Sequence, residues 1–103
     1  PDFKGCLMGA LLQEIARTRP RIREACCSGL DRSLGFLEKA FAAAKEKYAS
    51  KSDVDPAKLA KYQMSVIQGS FLLAKAHGDT KLIETNLKML KAQIKETFEG
   101  KGR

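Results

Sequence analysis

The chain has 103 residues, the length of one small domain, and carries 19 Lys and Arg against 12 Asp and Glu, a net charge of +7. Its composition of 44% hydrophobic and 30% charged residues excludes a disordered tail and is typical of a domain with its own core. Apolar runs stay well short of the ~20 residues that span a membrane. We therefore expect a cytoplasmic protein without membrane contact.

The first predicted element is a helix from about Phe3 to Arg17. The chain start, PDFKGCLMGALLQEIA, has the apolar character of a buried helix, although chain ends are usually polar and frayed. Pro20 ends this helix, because a proline disfavours helical geometry in the residue before it. We expect residues 1–103 to be one domain and a fragment of a longer chain, whose upstream part covers the apolar start.

The second predicted helix runs from Pro20 to about Ala49. At 1.5 Å per residue it would reach roughly 43 Å unless Gly29 or Gly35 bends it. An apolar line with steps of three or four residues follows one side of the helix, through Ile22, Cys26, Leu30, Ser33, Leu37, Phe41, Ala44 and Tyr48.

Strong boundary signals define the third and fourth predicted helices. Asp55 followed by Pro56 supplies an N-cap and a first-turn proline, which predicts a helix from Pro56 to about Ala76. Gly78 suits a left-handed C-cap, and the fourth helix follows Asp79 or Thr80 and runs to about Phe98. Alternating strand patterns do not occur. The expected fold is all-α, a four-helix antiparallel bundle-like domain.

The last two helices have more apolar surface than one neighbour would cover. Gly69 lies in the interior of the third helix, where glycine costs about 1 kcal/mol relative to alanine. Close approach of another backbone commonly compensates for this cost. On the fourth helix, one line of residues mixes apolar and amide side chains: Leu82, Asn86, Met89 and Gln93. Unpaired amides are costly in a core, so this mixture suits a protein interface better. We predict a homodimer in which these helices form a four-helix contact. Its predicted residues are Ser65, Gly69, Leu72, Leu73, Ala76, Leu82, Asn86, Met89 and Gln93.

Three segments carry a family resemblance: GCLMGALLQEIA, DPAKLAKYQMSVIQGSFLLAKA and LIETNLKMLKAQIKETF. Together they resemble the carboxy-terminal regulatory domain of TetR-family transcriptional regulators over nearly the whole chain. The most specific positions are Gly5-Cys6 followed by Glu14 and Ala16, Asp55-Pro56 with Leu59-Ala60, and Gln68-Gly69 followed by Leu72-Leu73-Ala74-Lys75-Ala76.

The resemblance implies a function in transcription control. It implies a repressor domain that dimerises through its last two helices and binds a small effector that weakens DNA binding. Operator DNA would be bound by an amino-terminal helix-turn-helix domain, and nothing in these 103 residues has that pattern.

A small apolar effector would lie where the inward-facing apolar residues of the first three helices meet. The predicted lining is Met8, Leu11, Leu34, Phe41, Met64 and Phe71. The same residue types also form ordinary cores, so the sequence leaves both interpretations open.

The positive charge supports a second interpretation, a stand-alone basic helical module that binds nucleic acid or a protein partner. The excess is spread evenly, however, with nine basic residues in positions 1–50 and ten in positions 51–103. A cluster of arginines at the first helix junction could hold an acidic ligand or simply face solvent. It comprises Arg17, Arg19, Arg21 and Arg23.

Signals for catalysis or cofactor binding are lacking in the sequence. His77 is the single histidine, and the sequence has no HExxH motif, phosphate-binding glycine loop or nucleophile beside a base, so we expect neither an enzyme nor a cofactor or metal site. Cys26 and Cys27 are adjacent, which is the wrong spacing for a zinc or redox CxxC site. With Cys6 they are expected to be reduced, as small buried hydrophobes or as a thiol sensor.

Overall fold

The computed structural model describes residues 6–15 and 18–99, and the regular structure in these ranges is helical. The expected all-α fold with four helices is thereby confirmed. The predicted ends of the first helix, Phe3 and Arg17, lie outside the described residues. The four helices are α1 (Leu7–Ile15), α2 (Pro20–Tyr48), α3 (Pro56–His77) and α4 (Lys81–Glu99).

Helix α2 is continuous over 29 residues, because neither Gly29 nor Gly35 interrupts it. It begins at Pro20, where the missing N–H costs nothing because the first N–H groups of a helix have no partner within it. At the other end the backbone N–H of Ala49 donates a hydrogen bond to the carbonyl of Lys45. Gly29 is buried, whereas a Cβ added at Gly35 would meet nothing within 4 Å among the described residues.

The boundaries of α3 follow the predicted capping chemistry. The Asp55 carboxylate accepts hydrogen bonds from the backbone N–H groups of Ala57 at 3.0 Å and Lys58 at 3.2 Å. Gly78 ends the helix with a left-handed φ of 63°, which glycine adopts without strain. The Asp79 carboxylate then accepts a bond from the N–H of Lys81 at 3.0 Å, which starts α4.

Helix α3 is the centre of the domain. It packs against α2 on one side and α4 on the other, and α1 packs mainly on α2. Helices α2 and α4 touch each other at few places, one of which is the stack of Phe41 on Phe98, with ring centroids 6.1 Å apart. The buried residues of the described chain are mostly small, namely Gly9, Cys26, Gly29, Val54, Ala60, Ser70, Ala74 and Leu90.

Many large apolar side chains remain on the surface because the domain is thin, with extents of 45 × 31 × 18 Å. They are Ile22, Phe36, Tyr48, Tyr62, Leu72, Leu73, Leu87 and Met89. Among the described helices, none combines the length and the apolarity that a membrane span requires.

Candidate dimer face and ligand cavities

The α3 residues predicted for the dimer lie on the outer side of that helix. Leu72 is 49% exposed and Leu73 is 44% exposed, and Ser65 and Ala76 are exposed as well. A Cβ added at Gly69 would meet no described atom within 4 Å. The close approach expected at Gly69 is therefore not supplied by the described part of this chain.

The α4 residues predicted for the dimer divide into two groups. Met89 is 67% exposed and Gln93 is exposed, whereas Leu82 and Asn86 are half-buried. The side chain of Gln93 accepts a hydrogen bond from the hydroxyl of Tyr62 on α3. This bond places Met89 and Gln93 beside the outer side of α3. We call Tyr62, Ser65, Gly69, Leu72, Leu73, Ala76, Met89 and Gln93 the outer face.

Asn86 has a structural role that the sequence reasoning missed. Its side-chain amide donates a hydrogen bond to the hydroxyl of Ser70 at 2.9 Å. Ser70 is buried and donates in turn to the carbonyl of Val66 at 2.7 Å. Asn86 thus joins α4 to α3 within the chain. The signal available was Ser70 itself, a polar residue within the largely apolar segment SVIQGSFLLA of α3.

A first cavity of about 390 Å³ lies between α1 and α3. Its wall is mainly apolar, with two amides and two opposite charges. A Cβ at Gly9 would lie 2.3 Å from the side-chain oxygen of Gln68, so the glycine lets this amide approach α1. The lining residues are Cys6, Ala10, Gln13, Glu14, Gln68, Phe71, Leu72, Lys75 and Ala76.

A second cavity of about 320 Å³ lies between α2, α3 and α4. The cavity is the space between α2 and α4, which touch each other at few places. Five of its seven lining residues are large and apolar, and its polar groups are one amide and one ammonium. The lining residues are Phe41, Gln63, Ile67, Leu87, Leu90, Lys91 and Ile94.

The residues predicted for the effector pocket do not share one of these two cavities. Phe71 lines the first cavity and Phe41 lines the second. Leu11, Leu34 and Met64 are half-buried and line neither, and the side chain of Met8 lies outside the described parts. The physical reason is that α3 presents different sides to α1 and to the gap between α2 and α4. The six-residue pocket stays a prediction.

The remaining candidate residues are spread over the surface and core. Arg19, Arg21 and Arg23 are exposed, as is His77 at the end of α3, while Arg17 lies outside the described residues. Cys26 is buried, Cys27 and Cys6 are half-buried, and all three are thiols. Over the described ranges, no cluster of three or more His, Cys, Asp or Glu side chains could hold a metal ion.

Comparison with known families agrees with this architecture. Residues 3–90 match the family described as "Tetracyclin repressor-like, C-terminal domain". The chain belongs to this family, a family of transcription regulation, and its match spans α1, α2, α3 and the first half of α4. Comparisons with curated proteins and with solved structures gave no match.

Proposed function

We propose that this chain is the regulatory domain of a TetR-type transcriptional repressor. It forms a homodimer through the outer face and binds a small apolar effector that controls operator binding. An amino-terminal helix-turn-helix domain outside these 103 residues contacts the DNA, and the protein acts in the cytoplasm. The observation that carries the proposal is the exposure of Leu72, Leu73 and Met89 along two adjacent helices in a member of this family.

The outer face has the composition of a helix-packing surface. Burial of apolar area contributes about 25 cal/mol per Å², and the exposed Leu72, Leu73 and Met89 offer that area without unfolding anything. Gly69 and Ala76 are small, so the backbone of a second α3 could come close. A symmetric pair of α3 and α4 helices would form a four-helix contact.

The first cavity is the site we assign to the effector. Its volume of about 390 Å³ lies within the ~300–1,000 Å³ typical of small-molecule sites. Phe71 and Leu72 provide apolar contact, and the amides of Gln13 and Gln68 can donate to or accept from one polar group of the ligand. Glu14 and Lys75 carry opposite charges, which favours a neutral effector.

The dimer is tested by light scattering at several concentrations with two single variants. Met89→Lys places a charge on the outer face at an exposed position, so the fold should survive and the particle mass should fall towards the monomer. Phe36→Lys is the matched control, because Phe36 is 76% exposed on α2, a helix that contributes no residue to the outer face. A wild type that stays monomeric, or equal dissociation of both variants, would refute the proposed interface.

The effector site is tested with N-phenyl-1-naphthylamine, a neutral apolar dye whose fluorescence rises in dry cavities. Ala10→Phe fills the first cavity from α1, and Ala40→Phe adds the same ring at an exposed position of α2. We expect Ala10→Phe to abolish most of the dye signal and Ala40→Phe to retain it, with circular dichroism confirming that both are folded. Equal dye binding by both variants would exclude this cavity as the effector site.

A further inference from the structure

We propose that the second cavity is a separate binding site for a small amphipathic carboxylate. The hydrocarbon part would lie between α2 and α4, and the carboxylate would meet the ammonium group of Lys91. This inference is independent of the proposed dimer and of the effector assigned to the first cavity, because it uses neither the outer face nor α1.

The packing of the helices explains why this cavity exists. Helix α3 separates α2 from α4 along much of their length. At one end the rings of Phe41 and Phe98 stack and bring α2 and α4 together. The gap beyond this stack is not filled by any side chain of the described chain. It is a cleft between three helices, lined mostly by apolar side chains.

The apolar wall of the cleft suits a hydrocarbon chain. Leu90 is 6% exposed and forms its floor, and the half-buried Ile67 and Ile94 form its sides. Leu87 is 41% exposed at the mouth, where a bound apolar group would shield it from water. The volume of about 320 Å³ is near the lower limit of ~300 Å³ for small-molecule sites, which selects a short chain.

The charge at the mouth selects an anion. Lys91 is the charged residue in the lining, and its ammonium group can make a charge-assisted hydrogen bond with a carboxylate. On the same helix Lys88 forms an ion pair with Glu84 at 3.4 Å, whereas Lys91 has no carboxylate partner among the described residues. The Gln63 amide in the same wall supplies a second donor.

The same charges disfavour a second copy of this chain as the occupant. Lys88, Lys91 and Lys95 are exposed on α4 and follow one side of the helix next to the cleft. Two copies meeting here would bring like charges together, which is destabilising. A small anion with an apolar tail would place its tail against the apolar wall and its charge next to Lys91.

The experiment is an NMR chemical-shift titration of the ¹⁵N-labelled protein with three eight-carbon probes: octanoate, octan-1-ol and octylammonium. We expect octanoate to bind most tightly and octylammonium least. The shifted amides should be those around Leu87 and Leu90 on α4, while amides around Ala10 and Gln13 on α1, which line the first cavity, keep their chemical shifts. Shifts confined to the first cavity, or octanol binding as tightly as octanoate, would overturn the proposal.

Variants at exposed positions distinguish a specific bond to the Lys91 ammonium group from general attraction to the basic surface. Lys91→Gln should weaken octanoate about fivefold and leave octanol unchanged, since only the charge-assisted bond is lost. Lys95→Gln removes the same charge one turn further along α4, outside the lining, and should change the affinity by less than about twofold. Leu87→Asp should weaken octanoate by repulsion at the mouth. Equal effects of Lys91→Gln and Lys95→Gln would show attraction to the basic surface and no specific site.

Discussion

Replacement of Ser70 by alanine tests the hydrogen bond that joins α4 to α3. The hydroxyl of Ser70 accepts from Asn86 at 2.9 Å and donates to the carbonyl of Val66 at 2.7 Å. Ser70→Ala removes both bonds at a buried position. Ser65 provides a matched control, because its exposed hydroxyl makes the same type of bond to the carbonyl of Lys61 at 2.8 Å and has no partner on α4.

The expected magnitude follows from the geometry. Both changes gain a few tenths of a kcal/mol of helix propensity, up to about 0.5, so the comparison cancels that contribution. The lost bond between Asn86 and Ser70 should cost about 0.5–1.5 kcal/mol. The full penalty of an unpaired buried donor does not apply, since Asn86 is half-buried and its amide can reach water. We expect Ser70→Ala to be less stable than Ser65→Ala by about 1 kcal/mol.

Urea unfolding followed by circular dichroism measures this difference. All variants are compared at one low chain concentration at which light scattering shows monomers, because Ser65 belongs to the outer face and the stability of a dimer depends on concentration. In thermal unfolding, 1 kcal/mol corresponds to roughly 4–8 °C for a domain of this size. A double-mutant cycle with Asn86→Ala should give a coupling of about 0.5–1.5 kcal/mol. Equal stabilities of Ser70→Ala and Ser65→Ala, with zero coupling, would refute the reasoning.

Three further predictions concern the caps and the charge. Asp55→Ala should cost about 1 kcal/mol in urea unfolding because two N–H groups at the start of α3 lose their acceptor, whereas Asp55→Asn should retain most of the stability. Gly78→Ala should destabilise the folded protein by about 1 kcal/mol, because φ is left-handed at this position. Gly35→Ala, at an open position inside a helix, should stabilise it by up to about 1 kcal/mol. A stability change of the same sign in both variants would contradict this account. Retention on DNA cellulose should be weak and lost at modest salt, because the charge is spread; retention at high salt would instead support a nucleic-acid module.

The parts of the fold that the sequence predicted best depend on local chemistry. Asp55, Pro56 and Gly78 act on backbone groups within four residues, so their effect does not depend on tertiary packing. The starts of α2 and α3 therefore coincide with the predicted positions, and the ends differ by one residue. The apolar periodicity also predicted a side of α3 and α4 outside the intrachain core; Leu72, Leu73 and Met89 on it are exposed, whereas Leu82 and Asn86 are half-buried.

The cavities could not be predicted in this way, because they depend on how the helices pack. Phe41 and Phe71 both have the apolar character of inward-facing residues, yet they line separate cavities. Their separation depends on the gap between α2 and α4, which no periodicity encodes. Asn86 shows the same limit, since its partner Ser70 is sixteen residues away and only the packed pair reveals the bond.

Two residues of the first cavity, Leu72 and Ala76, also belong to the outer face. For the proposed dimer, effector binding and subunit association therefore share atoms and are linked equilibria. An effector that contacts Leu72 more closely in the dimer than in the monomer strengthens association, and association strengthens effector binding by the same factor. The apparent effector affinity should then vary with protein concentration. In a cell, the abundance of such a regulator would set the effector level to which it responds.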